Sequence, residues 1–581
     1  LVVIGRAAGE DRENTLTKGS YYLTDEERKL LDQVCNNFSN VTVLLDCGNV
    51  IDMQWVLDYN DRLRGIIYAW QGGMESGNAI ADVLYGKVNP SGKLTDTIAI
   101  KYEDYPSAKH FGNKLFNMYV EDIFVGYRYF ETFAKEKALF PFGYGLSYTN
   151  FDIELLDFKA DKEKMTAKVQ VTNIGKYVGK EVVELFARAP QGKLTKPLMS
   201  LVSFAKTTEL APGESQKIDL EVSAYNFASF DDTGITGHKY AYILEKGEYK
   251  FFLGENVRDV QEIGSFEYSE DTVLEELEAI CAPKEYIDRI IAHKINGSYI
   301  PKKVTVKPEK PYLHERIIKN LPKEIGHIVH NYNFELVKSG EISVETFVSS
   351  LNNEELEALT RGQGGMDSNY GVAGNAGAFG GIIPELNKKG IPPVITTDGP
   401  AGIRVRKYTS LIPCGTALAS TFNTELVEKL ATEMGRELRN AGSNVLLAPG
   451  MNIHRNVLCG RNFEYFSEDP YLAGKCSASV INGVQSKGVG TSLKHFACNS
   501  QEAFRMVLNE VIDERTMREI YLPAFEIAVK ESQPWTVMNS YNRINGIYAS
   551  QNKHLQQDIL RDEWGFEGLI VTDWGASVDR I

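Results

Sequence analysis

The chain has 581 residues, 43% hydrophobic and 24% charged, an ordinary globular composition long enough for roughly three or four domains. A formal net charge of −15 argues against a phosphate-tracking surface, which would be basic, so no nucleic acid is expected as partner. No apolar run approaches the roughly 20 residues of a membrane helix, and no membrane is expected either.

The seven cysteines, Cys35, Cys47, Cys281, Cys414, Cys459, Cys476 and Cys498, are odd in number and lack CxxC spacing. A zinc knuckle or redox pair is therefore not expected, and a reduced, cytoplasmic protein is the simplest reading. The opening "LVVIGRAAGEDREN" has no methionine and no basic or small-residue targeting pattern. It reads as the interior of a strand, and the true N-terminus is expected to lie upstream.

Residues 1–148 alternate short apolar runs with helical stretches. "LVVIG" (1–5), "VTVLLDCG" (41–48) and "RGIIYAW" (64–70) read as buried strands. Between the first two, Thr24 followed three residues later by Glu27 predicts a capping box at a helix start. That rhythm predicts an α/β layered sheet. From 150 to 269, "MTAKVQVTNIG", "QKIDLEVSA" and "GEYKFFLGEN" alternate apolar and polar residues between turns such as "APGES", which predicts a small antiparallel β-sandwich. Residues 270–330 contain "YIPKKVTVKPEKPYLHER" and read as an ordered but irregular linker.

Beyond residue 331 the period lengthens. Strands are predicted at 392–399, 443–453, 489–497, 535–542 and 569–575, separated by amphipathic stretches such as "NTELVEKLATEMGRELRNAG". From Asp398 to Asn452, Lys494, Met538 and Asp573 the steps are 54, 42, 44 and 35 residues. Strand–helix units of that size, each ending on polar groups, predict a (β/α) barrel with its site at the C-terminal face of the strands. A doubly wound open sheet gives a similar pattern and remains open at this point. The glycine-rich "GQGGMDSNYGVAGNAGAFGG" (362–381) precedes its strand, so it does not fit a dinucleotide fingerprint. It reads as a flexible loop at the barrel mouth.

The strand ends supply the chemistry. Asp398 and Arg404, Arg461, adjacent Lys494 and His495, Arg505, Met538 with Tyr541, and Asp573 with Trp574 all fall there or just beyond. Singly, each has a bland reading: Arg461 pairing with Glu464 or Glu468, Lys494 extended along the surface, Asp573 capping a helix. Together at one mouth they combine acids, cationic donors and an aromatic platform, a set suited to a polyhydroxylated ring. No metal-ligand spacing such as HExxH appears, and neither metal nor cofactor is expected.

"DGPAGIR", "GRNFEYFSEDP", "KHFACNSQE", "VMNSYNRING" and "GFEGLIVTDWGA" closely resemble the catalytic barrel of glycoside hydrolase family 3. "GNAIADVLYGKVNPSGKL" and "LFPFGYGLSYT" resemble that family's α/β sandwich domain, and 150–269 its fibronectin type III-like domain. The order is permuted, with both smaller domains ahead of the barrel, as in a minority of bacterial β-glucosidases of the family. The resemblance also implies cut ends: a partial sandwich before Leu1 and a barrel lacking its end beyond Asp573.

The resemblance implies a retaining, exo-acting β-glucosidase. It makes Asp573, in the family's (S/T)DW motif, the nucleophile, held ionised by Lys494 and Arg461. From "GRAAGEDRENTLTKGSYYL" it makes Glu10 the acid/base, although Asp11 and Glu13 crowd beside it. Asp398, Arg404, Arg461, Lys494, His495 and Arg505 are implied as hydroxyl binders, with Met538, Tyr541 and Trp574 as walls. A β-xylosidase or another family specificity stays open, as does an inactive sugar-binding homologue. An N-acetylglucosaminidase is disfavoured, because "KHFACNSQE" lacks the second histidine of the family's "KHFPGHG"-type segment. Leaving group and oligomeric state are left open.

Overall fold

The computed structural model describes residues 1–59, 61–278, 281–283, 285–307, 325–363 and 365–577. Near the start, strands Val2–Arg6, Val41–Cys47 and Leu63–Tyr68 form a parallel sheet in that order, with Val2 opposite Val43 and Val43 opposite Ile66. The predicted capping box opens helix Asp25–Asn37: Thr24 Oγ1 accepts from Glu27 N at 3.0 Å, and Glu27 Oε2 accepts from Thr24 N at 2.8 Å. Glu27 also binds Arg6, which ties the helix start to the first strand. The inward side chains Val2, Ile4, Val43 and Leu45 are buried, worth about 1.5–3 kcal/mol each.

The β-sandwich consists of two antiparallel sheets. One orders Ser200–Lys206, Val182–Arg188, Gly247–Gly254 and Val260–Tyr268; the other orders Ser215–Ser223, Lys164–Asn173 and Phe151–Ala160. Val169, Val171, Leu185, Val202, Leu220 and Phe251 meet between them, which is what period-2 patterning buries.

The irregular linker expected at 270–330 is corrected where it is described. Thr272–Glu276 adds a strand against Ala241–Leu244. Ile287–Ile295 and Ser298–Val306 form an antiparallel hairpin. Its two-residue loop, Asn296–Gly297, has φ of 51° and 88°, as a type I′ turn requires. The Asn-Gly pair between β-forming runs was the missed signal; lysines and Pro301 made the second strand look like linker. Residues 308–324 lie outside the described residues.

In the largest domain, Pro393–Thr397, Val445–Leu446, Gly490–Phe496, Thr536–Asn539 and Leu569–Thr572 run parallel, each beside its predecessor. A doubly wound sheet reverses strand order at a switch point, and this one never does, so the monotonic order is that of a barrel wall. Helix Thr424–Ala441 packs on helix Pro470–Gln485 at very short range: a Cβ on Gly483 would lie 2.5 Å from Glu428 O, and one on Gly435 2.8 Å from Val484 O. The glycine-rich 362–381 stretch is not simply a loop. Gly377–Gly380 is an antiparallel strand on Pro393–Thr397, and the Asn375 side chain ties Ser368, Val372 and Gly377 together.

The sandwich and barrel domains share a sheet, because Phe116–Met118 pairs in parallel with Asn509–Val511. Arg455 reinforces the seam through Glu121, with Nε to Oε1 at 2.5 Å, and lies 4.0 Å over the Tyr119 ring. No described helix is long and apolar enough to cross a membrane.

Candidate active site

The parallel strands deliver their polar ends to one place. Asp573 follows Leu569–Thr572, and its Oδ1 accepts from Trp574 N at 2.8 Å. Oδ2 is buried without a hydrogen-bond partner among the described residues, 3.7 Å from His495 Nε2. Burial pushes this carboxyl above its ordinary range, while Lys494 and Arg461 pull it back. These two cations thus favour the ionised carboxylate, and burial opposes them.

Lys494 Nζ binds Asp398 Oδ1 at 3.1 Å, and Arg404 reaches Asp398 Oδ2 at 3.4 Å from a more exposed position. Burial works against the Asp398 charge, but Lys494 and Arg404 prevail and hold its carboxyl below the usual range. His495 is buried, and burial together with Arg461, Lys494 and Arg505 pushes its pKa well below the ordinary value. It is therefore a neutral ring, with Nδ1 3.2 Å from Tyr465 Oη.

The aromatic side is built on the last strand and its neighbour. Trp574 Nε1 donates to Ala376 O at 3.0 Å, so the glycine-rich stretch anchors the indole. Tyr541 Oη donates to Trp574 O at 2.8 Å, and the Arg505 guanidinium stacks 4.7 Å over the Tyr541 ring. Met538 is 1% exposed among Ala376 and Leu447, with Trp574 packed on that cluster; it backs the wall.

Glu10 arrives from the other domain. Its Oε1 lies 2.8 Å from Arg505 Nη2 and 3.6 Å from Arg461 Nη1. The Glu10 side chain keeps 45% exposure against 12% for Asp573, which sets Glu10 at the mouth and Asp573 on the floor. Burial tends to raise the Glu10 pKa, but Arg461 and Arg505 outweigh it and lower it. Asp11 is more exposed and shares Arg505 at 2.8 Å. Glu13 points away: Oε1 accepts from Glu502 N at 2.5 Å and Ala503 N at 2.9 Å, and Oε2 from Gly460 N at 2.8 Å. All the predicted site residues thus cluster, with Met538 behind the surface and Arg404 at the rim.

Of the two carboxylates that hold Arg461 and Arg505, Glu464 was read only as a surface partner of Arg461, and Glu502 escaped the sequence reading. Glu464 holds Arg461 Nε at 2.5 Å, and Glu502 holds Arg505 Nη1 at 2.7 Å. Each stands three residues from its arginine, a spacing that would have found both. The pairing of Arg461 with Glu464 is real but buried, so it aims the guanidinium into the site. Among the described residues no group of three His, Cys, Asp or Glu side chains could hold a metal.

Residues 369–581 match the glycosyl hydrolase family 3 N terminal domain, 1–148 the family 3 C-terminal domain, and 181–257 a fibronectin type III-like domain. A beta-glucosidase of Ruminococcus albus is 42% identical over 100% of this chain and 61% of its own length. Beta-glucosidase A of Butyrivibrio fibrisolvens is 41% identical over 96% of this chain and 71% of its own. A solved beta-glucosidase from Paenibacillus barengoltzii superposes with a TM-score of 0.96 at 45% identity, covering 99% of this chain and 64% of that one. The chain therefore spans about three fifths to seven tenths of the length of these relatives. It belongs to glycosyl hydrolase family 3, with the family's C-terminal and fibronectin-like domains preceding its N-terminal one.

Proposed function

We propose that the chain carries the active site of a retaining, exo-acting β-glucosidase, with Asp573 as nucleophile and Glu10 as acid/base. The observation that carries this reading is the meeting of two carboxylates, from two domains, across one group of cations. Glu13 is taken up by backbone N–H groups, and Glu464 and Glu502 are buried against their arginines, whereas Glu10 keeps 45% side-chain exposure at the mouth and Asp573 Oδ2 has no hydrogen-bond partner among the described residues.

Asp573 Oδ2 attacks the anomeric carbon while Glu10 passes a proton to the departing glycosidic oxygen. Glu10, now a carboxylate, then takes a proton from water, which displaces Asp573 from the same carbon, and two inversions leave the configuration retained. Asp398, kept charged by Lys494 and Arg404, accepts hydrogen bonds from ring hydroxyls; Lys494 and Arg461 donate; Trp574 packs on the sugar face. The names of the similar proteins support glucose as the ring recognised.

The test is a panel of aryl β-glycosides of glucose, xylose, galactose and N-acetylglucosamine with the intact protein, followed by trapping with a 2-fluoro glucoside. Fastest turnover of the glucoside and labelling of Asp573 are expected. Faster turnover of the xyloside, or a label on another carboxylate, overturns the specificity or the nucleophile respectively.

A further inference from the structure

We propose that Glu13 is the positioning residue for the acid/base: its carboxylate clamps the loop carrying Glu10 onto the two barrel loops that carry Glu10's own cationic partners. This rests on the reading of Glu10 as acid/base.

Two backbone–backbone bonds and several side-chain bonds hold the segment Gly9–Asn14 against the barrel mouth. Gly9 N donates to Gly460 O at 3.1 Å, and Asn14 N to Leu458 O at 2.9 Å. Asp11 N reaches Glu502 Oε2 at 3.2 Å. The approach is so close that a Cβ on Gly460 would lie 1.7 Å from Arg12 O. Glu13 adds three bonds with one side chain, and it divides them between loops: Oε2 to Gly460, one residue before Arg461, and Oε1 to Glu502 and Ala503, three and two residues before Arg505. Arg461 and Arg505 are the cations that touch Glu10. A single carboxylate therefore sets the spacing of the Arg461 loop, the Arg505 loop and the Glu10 loop at once.

The site is suited to a group with two acceptor oxygens. Three N–H groups converge on two oxygens, so both oxygens must accept. Burial raises the Glu13 pKa to about 7, with the Ala503, Gly460 and Glu502 N–H groups resisting. Glutamine has nearly the same shape but turns one acceptor into a donor, so at least one N–H would face an N–H.

The test compares Glu13→Gln, Glu13→Asp and Glu10→Gln with the wild-type protein on two glucosides, one with a good leaving group (2,4-dinitrophenyl) and one with a poor one (cellobiose). Acid assistance matters only for the poor leaving group, and the ratio of rates on one preparation is independent of how much of it is folded. Displacement of a catalytic group by about 1 Å costs on the order of 100-fold. Glu13→Gln should therefore lower kcat/KM on cellobiose roughly 100-fold more than on the activated glucoside. Azide, which attacks the glycosyl-Asp573 ester without needing a base, should accelerate turnover of the activated substrate and yield the β-glucosyl azide. Glu13→Asp, which keeps two acceptors on a shorter stem, should fall between. An unchanged ratio in both Glu13 variants, with Glu10→Gln showing the selective loss, refutes the positioning role. No selective loss in Glu10→Gln refutes the acid/base reading itself.

Discussion

Arg289, in the stretch that reads from sequence as linker, is one point at which all three recognised domains meet. Its Nη1 and Nη2 grip Asp232 of the β-sandwich at 2.7 and 3.1 Å, Nη1 lies 3.5 Å from Asp513 of the barrel, and Nε 3.7 Å from Asp122 of the α/β domain. Asp122 and Asp513 are fully buried, and Asp232 and Arg289 keep only 6% exposure each. Arg289→Met preserves length and removes the charge, leaving three carboxylates facing one another. Loss of one partner of a buried pair costs about 3–5 kcal/mol. The upper part of that range applies to Asp232, both of whose oxygens are held by Arg289. Asp122 and Asp513 each keep a bond from Thr516, at 2.7 and 2.8 Å. Burial and the Asp122 charge already push the Asp513 pKa up to about 7, against the pull of Arg289. A carboxyl raised above its unfolded value weakens the fold at high pH, and the loss is relieved as pH falls through the folded value. Without Arg289 that value rises further. The destabilisation should then be larger at about pH 8 than at about pH 5. Thermal melts of wild type, Arg289→Met and Arg289→Lys across that range give the measurement, with the lysine variant intermediate because it keeps charge but not the two-pronged grip. A loss below about 0.5 kcal/mol, or one independent of pH, refutes the reasoning.

Asp573→Ala should abolish β-glucoside turnover, raising the barrier by about 5–8 kcal/mol while the melt changes little, as kinetics and calorimetry on one preparation will show. The first sugar released should be the β anomer by proton NMR; initial α-glucose would exclude double displacement. The profile of kcat/KM against pH should be a narrow bell on the acid side. The raised Asp573 value moves the limb where the nucleophile becomes protonated upward, and the lowered Glu10 value moves the limb where the acid is lost downward. Glu10→Gln should remove the descending limb for an activated substrate, and survival of that limb would assign it to another group.

Local order was legible in the sequence because it depends on neighbours. Alternation in "KVQVTN" means a strand with one buried face in any fold, and Thr24 with Glu27 closes a capping box within one turn of helix. The parallel strands and their polar ends were legible in the spacing, but the gathering of Asp398, Lys494, Arg461 and Asp573 needed the barrel reading, since a doubly wound sheet gives a similar pattern. The hairpin at 287–306 was legible in principle through Asn296–Gly297, but its lysines obscured it. What only the tertiary structure shows is the surroundings that separate like residues. Glu10, Asp11 and Glu13 are equivalent carboxylates in the sequence. They differ because Glu13 reaches three N–H groups, Glu10 meets both Arg461 and Arg505, and the more exposed Asp11 meets Arg505 alone. Likewise the net push on Asp573 is set by how completely the barrel floor excludes solvent, against cations separated from it by more than a hundred residues of chain in the case of Arg461. Desolvation and Coulomb interaction depend on distance in space, and neither can be read from order along the chain.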